Sequence, residues 1–403
     1  MLKIHVESPQ SVVKPAGIPF LALGFRPFFL LAGLFGVILI LLWLGIWSGG
    51  IKAPLYYNPV TWHTHEMLYG YTAAVIAGFL LTAVRNWTGA KTPDGIPLAL
   101  LAMLWLAGRI LPFFSAWIPG VLIAIVDIAF LPLLAMAIQP ALWKGKASAN
   151  RIFVPLLFVM AVPNLMIHLE SLGLVVIPGS SQDIMLYLVI FLVALLGGRI
   201  IPFFSESAIP GHRCRRYPTV EMASVTLLAC LILAQVIVPA TLSAGWLTGV
   251  LALAAAAVQL VRLWGWHHID VWQKPILWVL YTGFLWLVVG LFLLGLASFA
   301  IVPSSLAKHA LTIGVIGTLT LGMMARVALA HTGRPLKPAW PIVAAFVAIN
   351  VAALIRVFGP LLLAESYAFH IHLSGGIWFL AFAVFLVVYL PILIRPRIDG
   401  KAW

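Results

Sequence analysis

Long apolar stretches recur along almost the whole chain and constrain its fold more than any other feature. A helix that crosses the hydrocarbon core of a bilayer needs about 20 mostly apolar residues. Stretches of that length, punctuated by Pro, Gly and charged clusters, give twelve predicted spans: 27–48, 60–84, 96–114, 119–140, 151–173, 183–204, 218–239, 243–263, 275–298, 306–330, 339–363 and 370–394. Only 9% of the residues are charged, against about 25% in a soluble domain. The sequence therefore predicts an all-α polytopic membrane protein and excludes an ordinary soluble enzyme.

The spans are expected to form a single transmembrane domain that takes in the whole chain, 1–403. Residues 1–26 would be a cytoplasmic N-terminal segment, 27–394 the twelve-helix bundle and 395–403 a cytoplasmic tail. The N-terminal segment is too long and too Pro-rich for the basic region of a signal peptide, and no small-residue cleavage site follows the first apolar run. The first helix is therefore expected to be retained.

The positions of the basic residues predict the orientation. Eighteen of the 24 Lys and Arg residues fall in the termini and alternate loops on one side, whereas the opposite loops hold two, Lys52 and Lys308. The remaining four lie within predicted spans: Arg109, Arg199, Arg326 and Arg356. Basic residues keep a loop on the cytoplasmic side of a membrane. Both termini are therefore predicted to be cytoplasmic, and the net charge of +13 reflects topology rather than nucleic-acid binding.

Two segments of the sequence are echoed elsewhere in the chain. AGRILPFFS at 107–115 and GGRIIPFFS at 197–205 agree at seven of nine positions, and the predicted topology runs them in opposite directions, as in inverted repeats. The segments 65–89 and 309–333 agree at five of 25 positions. Recurrent Gly and Pro residues at helix ends are the alternative explanation for both echoes.

Histidines concentrate at one predicted depth, near the outer ends of spans 2, 5, 10 and 12. Six of the eleven lie there: His63, His65, His168, His309, His370 and His372. Ionisable groups inside a membrane are costly and mark candidate functional sites. A single interfacial histidine often only extends its polar tip into water. Six at one depth favour metal centres, because imidazole is the commonest metal ligand and binds iron, copper and zinc.

The spacing of two histidine pairs carries further information. His63 and His65 are two residues apart, as are His370 and His372. On a helix this separation turns the side chains by about 200°, so that they point to opposite faces. Neither pair can then hold one metal, and each is expected to serve two centres on either side of its helix.

Charged residues at the same depth are candidate partners of these centres. Arg109 and Arg356 could pair with haem propionates, or else reach interfacial water. Glu66 and Glu365 are the candidate catalytic residues, as proton donors or metal ligands, although a carboxylate beside a metal often only orients a histidine. Asp127, in the middle of span 4, is compatible with a transport path or with a protonated interior carboxyl.

Fewer candidates lie near the cytoplasmic side. His331 could bind a haem there, or interact with the carbonyl end of its helix. Cys214 and Cys230 form neither a disulfide framework nor a zinc motif, and they lie away from the outer histidines, which excludes an iron–sulfur cluster at that depth. Haem and copper, or non-haem iron, remain as cofactors, and the 23 Phe and 16 Trp residues offer a porphyrin an aromatic interior.

Four segments together resemble the NnrS family. They are HTHEMLYGY at 63–71, GGRIIPFF at 197–204, GHR at 211–213 and ALAHTGR at 328–334. The resemblance covers essentially the whole chain. It implies a bacterial inner-membrane protein that contains haem b and copper and acts in nitric oxide metabolism and tolerance of nitrosative stress.

The first functional hypothesis is a membrane nitric oxide reductase, in which two NO, two electrons and two protons give N2O and water. Six outer histidines equal two ligands for a low-spin haem, one for a high-spin haem and three for a non-haem metal. The expected partners are nitric oxide, a quinol or another electron donor, and the lipid bilayer. The sequence does not predict the oligomeric state.

Two alternatives remain open. The inverted echo, the many Gly and Pro residues within spans and Asp127 are compatible with a transporter of a metal, haem or metal–nitrosyl species. A haem protein that binds NO or transfers electrons without catalysis is the other alternative. A strong Soret band from the purified protein would exclude a haem-free transporter.

Overall fold

The computed structural model describes residues 18–54, 56–176, 180–237 and 242–400. Within these ranges twelve helices are long and apolar enough to cross a membrane: α1 Phe25–Trp47, α2 Pro59–Thr88, α3 Gly95–Phe114, α4 Gly120–Lys144, α5 Ser148–Ser171, α6 Ser181–Ala208, α7 Pro218–Val236, α8 Gly245–Trp266, α9 Pro275–Ser298, α10 Ser304–His331, α11 Trp340–Leu362 and α12 Tyr367–Ile394. The predicted all-α fold and the twelve spans are confirmed. Residues 1–17 and 401–403 of the predicted terminal segments lie outside the described residues.

Reporter fusions test the predicted orientation. We expect a reporter that works only in the cytoplasm to be active when it is fused after Gly400, in the C-terminal tail. A reporter that works only in the periplasm should be active when it is fused after Gly173, in the turn that follows α5, because the basic residues hold the alternate loops inside. If both fusions report the same side, the predicted orientation is wrong.

Helices α2 and α10 lie at the centre of the bundle and share an unusual local structure. They are the two most buried spans, with buried shares of 89% and 78%. Each begins as a short α-helix and then passes into a π-helical segment, Glu66–Thr72 in α2 and Ala310–Gly317 in α10. Each is followed by a left-handed glycine, Gly89 and Gly333. The weak sequence similarity between 65–89 and 309–333 therefore coincides with a shared local structure. Such π-helical turns are frequent at functional sites.

Small residues let α9 approach α10 closely, as at many helix contacts in membranes. A Cβ atom on Gly290 would lie 2.5 Å from Leu311 Cδ2 and 3.2 Å from the Leu311 backbone nitrogen. We expect Gly290→Ala to destabilise the bundle by about 1–3 kcal/mol through overpacking. Thermal unfolding in detergent would measure this. The control is Gly376→Ala, because a Cβ on Gly376 would meet nothing within 4 Å, and equal melting temperatures for the two variants would contradict the interpretation.

Two of the eighteen basic residues on the predicted cytoplasmic side, Arg26 and Arg262, are buried within helices. Arg26 is fully buried in the first turn of α1 and donates to the carbonyls of Leu393 and Arg395, both at 2.7 Å. These carbonyls belong to the end of α12, where no helical partner remains for them. Arg262 is buried near the end of α8 and forms a two-fold ion pair with Glu221 of α7 at 2.7 and 3.1 Å. Both remain at the predicted cytoplasmic end of the bundle.

The two similar segments 107–115 and 197–205 each use a glycine to make room for a charged side chain, but their arginines lie in different surroundings. Gly108 of α3 leaves room for a carboxylate, since a Cβ there would lie 2.5 Å from Asp127 Oδ1. Gly198 of α6 leaves room for the guanidinium of Arg262 in the same way. The arginines that follow differ, because Arg109 is buried whereas Arg199 is exposed. Only the first copy contributes its arginine to a buried charged cluster.

Candidate metal centre and adjoining cavity

A cluster of buried polar side chains lies at the end of the bundle where α2 and α4 begin and α3 and α5 end, which is the predicted periplasmic end. Each of its members is at most 5% exposed: His65 and Glu66 of α2, Arg109 of α3, Asp127 of α4, and Asn164 and His168 of α5. We call these six residues the polar cluster. Polar groups buried within a membrane must satisfy one another, so the contacts of this cluster determine its chemistry.

Asp127 is the centre of the polar cluster. Its Oδ2 lies 3.0 Å from His168 Nε2 and 3.1 Å from His65 Nε2, and it accepts a hydrogen bond of 2.9 Å from Asn164 Nδ2. Its Oδ1 accepts from Arg109 Nη2. One ligand atom each from His65, Asp127 and His168 lie within 4.8 Å of one another. Two imidazoles and one carboxylate form a donor set that suits iron, copper or zinc.

The hydrogen-bonding capacity of His65 favours a cation between these groups. Glu66 Oε1 faces its Nδ1 at 3.1 Å, while Asp127 Oδ2 and Asn164 Oδ1 face its Nε2 at 3.1 and 2.9 Å. A neutral imidazole has one N–H and can satisfy acceptors on one side only. A metal ion at Nε2 would leave the Nδ1 proton to donate to Glu66, which is the usual way in which a carboxylate orients a metal-ligating histidine.

The charges of the polar cluster lead to the same conclusion. Arg109 donates to Glu66 Oε2 at 3.0 Å and also to Asp127. One guanidinium thus faces two carboxylates, which leaves a net charge of about −1 when both acids are ionised and both imidazoles are neutral. A buried charge must be paired or must coordinate a metal. The polar cluster therefore fits a cation in both donor geometry and charge.

Two tyrosines from the loop between α1 and α2 cover the cluster. The hydroxyl of Tyr56 lies 2.8 Å from His168 Nδ1, and that of Tyr57 lies 3.4 Å from His65 Nε2. Burial raises the pKa of Tyr56 to about 12 and holds the pKa of Tyr57 well above its usual range. Both phenols therefore keep their protons at neutral pH.

A cavity of about 420 Å³ lies on the other side of α2, bordered also by α1, α6, α10, α11 and α12. The π-helical segments of α2 and α10 both contribute to its wall. His63 lies in this wall with its ring stacked on Trp43, at a centroid distance of 4.1 Å. Its Nδ1 is buried and has no hydrogen-bond partner among the described residues. We call this space the large cavity.

His309 and Arg356 are further polar groups in the wall of the large cavity, on the side of α10 and α11, where Lys308 also lies and pairs with Asp183 of α6 at 2.8 Å. The Nδ1 of His309 lies 2.6 Å from the Ser305 carbonyl, and this contact requires the proton to be on Nδ1. Its Nε2 is therefore unprotonated in the neutral ring and available to a ligand. Arg356 donates to the Tyr367 hydroxyl at 3.0 Å. An imidazole and a guanidinium thus share one mostly apolar chamber.

The structure separates the neighbouring histidines of α2 as their spacing predicts. His65 contacts α4 and α5, whereas His63 contacts α1 and the large cavity. Arg109 does not lie on the large cavity, and its partners are protein carboxylates rather than a site for propionates. Four of the six outer histidines therefore divide between two places on either side of α2, His65 and His168 in the polar cluster and His63 and His309 on the large cavity.

The other predicted site residues are not part of either place. His370 is buried against Gly359 of α11, and His372 is exposed, with Nε2 2.9 Å from Ser48 Oγ. Glu365 is exposed in a short 3-10 turn before α12. His331 lies at the far end of α10, about 33 Å from His309 at 1.5 Å per residue, with Nε2 3.2 Å from Asn86 Nδ2.

Sequence reasoning missed three residues of this region, Asn164, Tyr56 and Tyr57, and did not include Asp127 among the site residues. One signal was present, because Asn164 and His168 are four residues apart and so share one face of α5. The tyrosines carry no such signal, since their role depends on how the loop folds over the cluster.

A family model for the NnrS protein matches residues 19–397. The chain belongs to the NnrS family. The resemblance of the four sequence segments to this family is thereby confirmed over essentially the whole chain. Family membership supports a membrane protein related to nitric oxide, and the family is a metal-binding one. A comparison with curated proteins found no match. In this NnrS-family chain, the segment 63–71 places His63 on the large cavity and His65 in the polar cluster.

Proposed function

We propose that this chain binds haem b in the large cavity, binds a copper or iron ion in the polar cluster, and reduces nitric oxide in the bacterial inner membrane. The reaction joins two NO with two electrons and two protons to give N2O and water. A quinol or another donor supplies the electrons. The observation that carries the proposal is the arrangement of two histidine-bearing sites back to back across the outer end of α2.

The large cavity fits a haem in its chemistry. His63 offers a buried ring with an unpartnered Nδ1, and His309 offers an Nε2 lone pair fixed by the bond of its Nδ1 to Ser305. Arg356 supplies a guanidinium for a haem propionate, because the planar guanidinium of Arg pairs well with planar carboxylates. The volume of about 420 Å³ lies within the range of about 300–1,000 Å³ for cofactor and ligand pockets. Bound haem would supply the redox chemistry.

The residues of the polar cluster have separable roles in this proposal. His65, Asp127 and His168 hold the metal ion, and Asn164 fixes Asp127 through its amide. Glu66 orients His65 and pairs with Arg109, so we assign it a positioning role in place of proton donation.

Protons reach the site from the periplasmic side in this proposal. The loop carrying Tyr56 and Tyr57 covers the polar cluster at that end, and both phenols keep their protons at neutral pH. NO itself is uncharged and enters from the bilayer. Turnover is therefore expected to build no membrane potential, because the protons do not cross the membrane.

The test uses purified protein in liposomes with a reduced artificial donor. We expect a Soret band, about one non-haem metal ion per chain, and NO consumption without a membrane potential. An uncoupler-sensitive potential would overturn the periplasmic proton route. Haem-loaded protein that binds NO but never consumes it would overturn catalysis and leave an NO-binding protein. Protein without haem would favour the transporter.

A further inference from the structure

A second, smaller cavity lies midway along the helices, between α2, α6, α9 and α10. Its volume is about 110 Å³, and none of its lining residues is exposed. Its wall is apolar except for two hydroxyl groups, those of Thr72 and Thr320. We call it the small cavity. The small cavity is separate from the polar cluster and the large cavity, and the function proposed for those two sites does not use it.

The two hydroxyl groups in this wall are already satisfied within the protein. Thr72 Oγ1 donates to the Met67 carbonyl at 2.8 Å. Thr320 Oγ1 donates to the Ile316 carbonyl at 2.6 Å and lies 2.5 Å from the hydroxyl of Tyr71. A buried water needs two to four polar partners, and cavities without them stay dry. The small cavity is therefore suited to an apolar occupant.

The small cavity adjoins the large one. Thr72 and Ile316 belong to the walls of both. Tyr71 lines the large cavity, and its hydroxyl meets Thr320 of the small cavity. The partition between the two spaces thus consists of a few side chains on the π-helical segments of α2 and α10 and the turns that follow them. An occupant of the small cavity lies one side chain away from the large cavity.

We propose that the small cavity binds a small apolar gas and supplies it to the large cavity. One water needs about 10–15 Å³ of such volume, so about 110 Å³ has room for several diatomic molecules. Uncharged diatomic gases need no hydrogen bond and partition from the bilayer into apolar space. That the gas is NO rests on the proposed function, whereas the gas site itself does not.

Xenon tests the gas site without any turnover. We expect xenon to occupy the small cavity in the structure of pressurised, unmodified protein. Val193 of α6 lines the cavity, so Val193→Phe should fill it and abolish xenon binding. The matched control is Val387→Phe, because Val387 of α12 is 76% exposed and lies away from the cavity. Absence of xenon from the unmodified protein, or equal occupancy in Val193→Phe, would overturn the gas site.

NO kinetics test the supply role separately. Val193→Phe should raise KM for NO several-fold at unchanged kcat and unchanged haem content, because it obstructs delivery rather than chemistry. An unchanged KM in a variant that has lost xenon would overturn the supply role. If unmodified protein binds xenon but never consumes NO, the proposed function fails while the gas site stands.

Discussion

Asp127→Asn is expected to empty the metal centre of the polar cluster while haem remains bound. Asparagine keeps the volume and one oxygen of Asp127 but removes the negative charge that faces His65, His168 and Arg109. Altering even the partner of a metal ligand costs about 10–100-fold in affinity, so loss of the carboxylate itself should cost at least that much. Elemental analysis should find less than about a tenth of the non-haem metal, and NO consumption should be lost.

The control for this result is His267→Ala. His267 lies in the loop after α8, where its Nε2 accepts from Trp272 Nε1 at 3.0 Å, and it belongs to neither site. Its metal content, haem spectrum and activity should match those of the unmodified protein. If Asp127→Asn keeps its full complement of non-haem metal, Asp127 is not a ligand and the cluster has a structural role alone.

Arg109→Gln is expected to be the most destabilising single change in the polar cluster. It leaves the carboxylates of Glu66 and Asp127 buried without their guanidinium. Breaking a buried ion pair from one side costs about 3–5 kcal/mol. The melting temperature in detergent and the yield of extracted protein should both fall. Adding Glu66→Gln should recover part of the loss, because the double variant leaves one fewer unpaired charge.

Arg199→Gln is the matched control for Arg109→Gln. Arg199 occupies the same position in the echoed segment, but it is exposed and donates to Asn150 at 2.9 Å. Surface changes of this kind cost about 0.5 kcal/mol or less. Equal melting temperatures for the Arg109 and Arg199 variants would show that the buried pair does not stabilise the chain.

Most of the fold could be predicted from the sequence because the bilayer restricts the choices so strongly. Spanning segments must be long, apolar and helical, and the basic residues alternate with them. Errors arose at helix ends. Span 2 was predicted to end at 84, whereas the helix continues to Thr88 and ends at the left-handed Gly89. Arg262, at the end of predicted span 243–263, was counted with the basic residues of the cytoplasmic side. Its buried pairing with Glu221 of another helix is not revealed by spacing alone.

The candidate site was predictable only in part. Helical spacing separated His63 from His65 correctly, because that inference needs one helix alone. It did not reveal that His370 packs on α11 while His372 reaches Ser48 of the turn after α1, because this depends on how α12 sits among its neighbours. For Arg109 the sequence left open haem propionates or interfacial water, because it does not reveal that the partners are the protein carboxylates of Glu66 and Asp127.

The central claim is that two different sites lie on either side of α2, and parallel analysis of His63→Ala and His65→Ala tests it most directly. Haem is measured by its absorbance and non-haem metal by elemental analysis on the same samples. We predict that His63→Ala loses haem and keeps the non-haem metal, whereas His65→Ala keeps haem and loses the metal, since each side chain faces only one site. If either variant loses both groups while remaining folded, or if the two variants lose the same group, the two-site account is wrong.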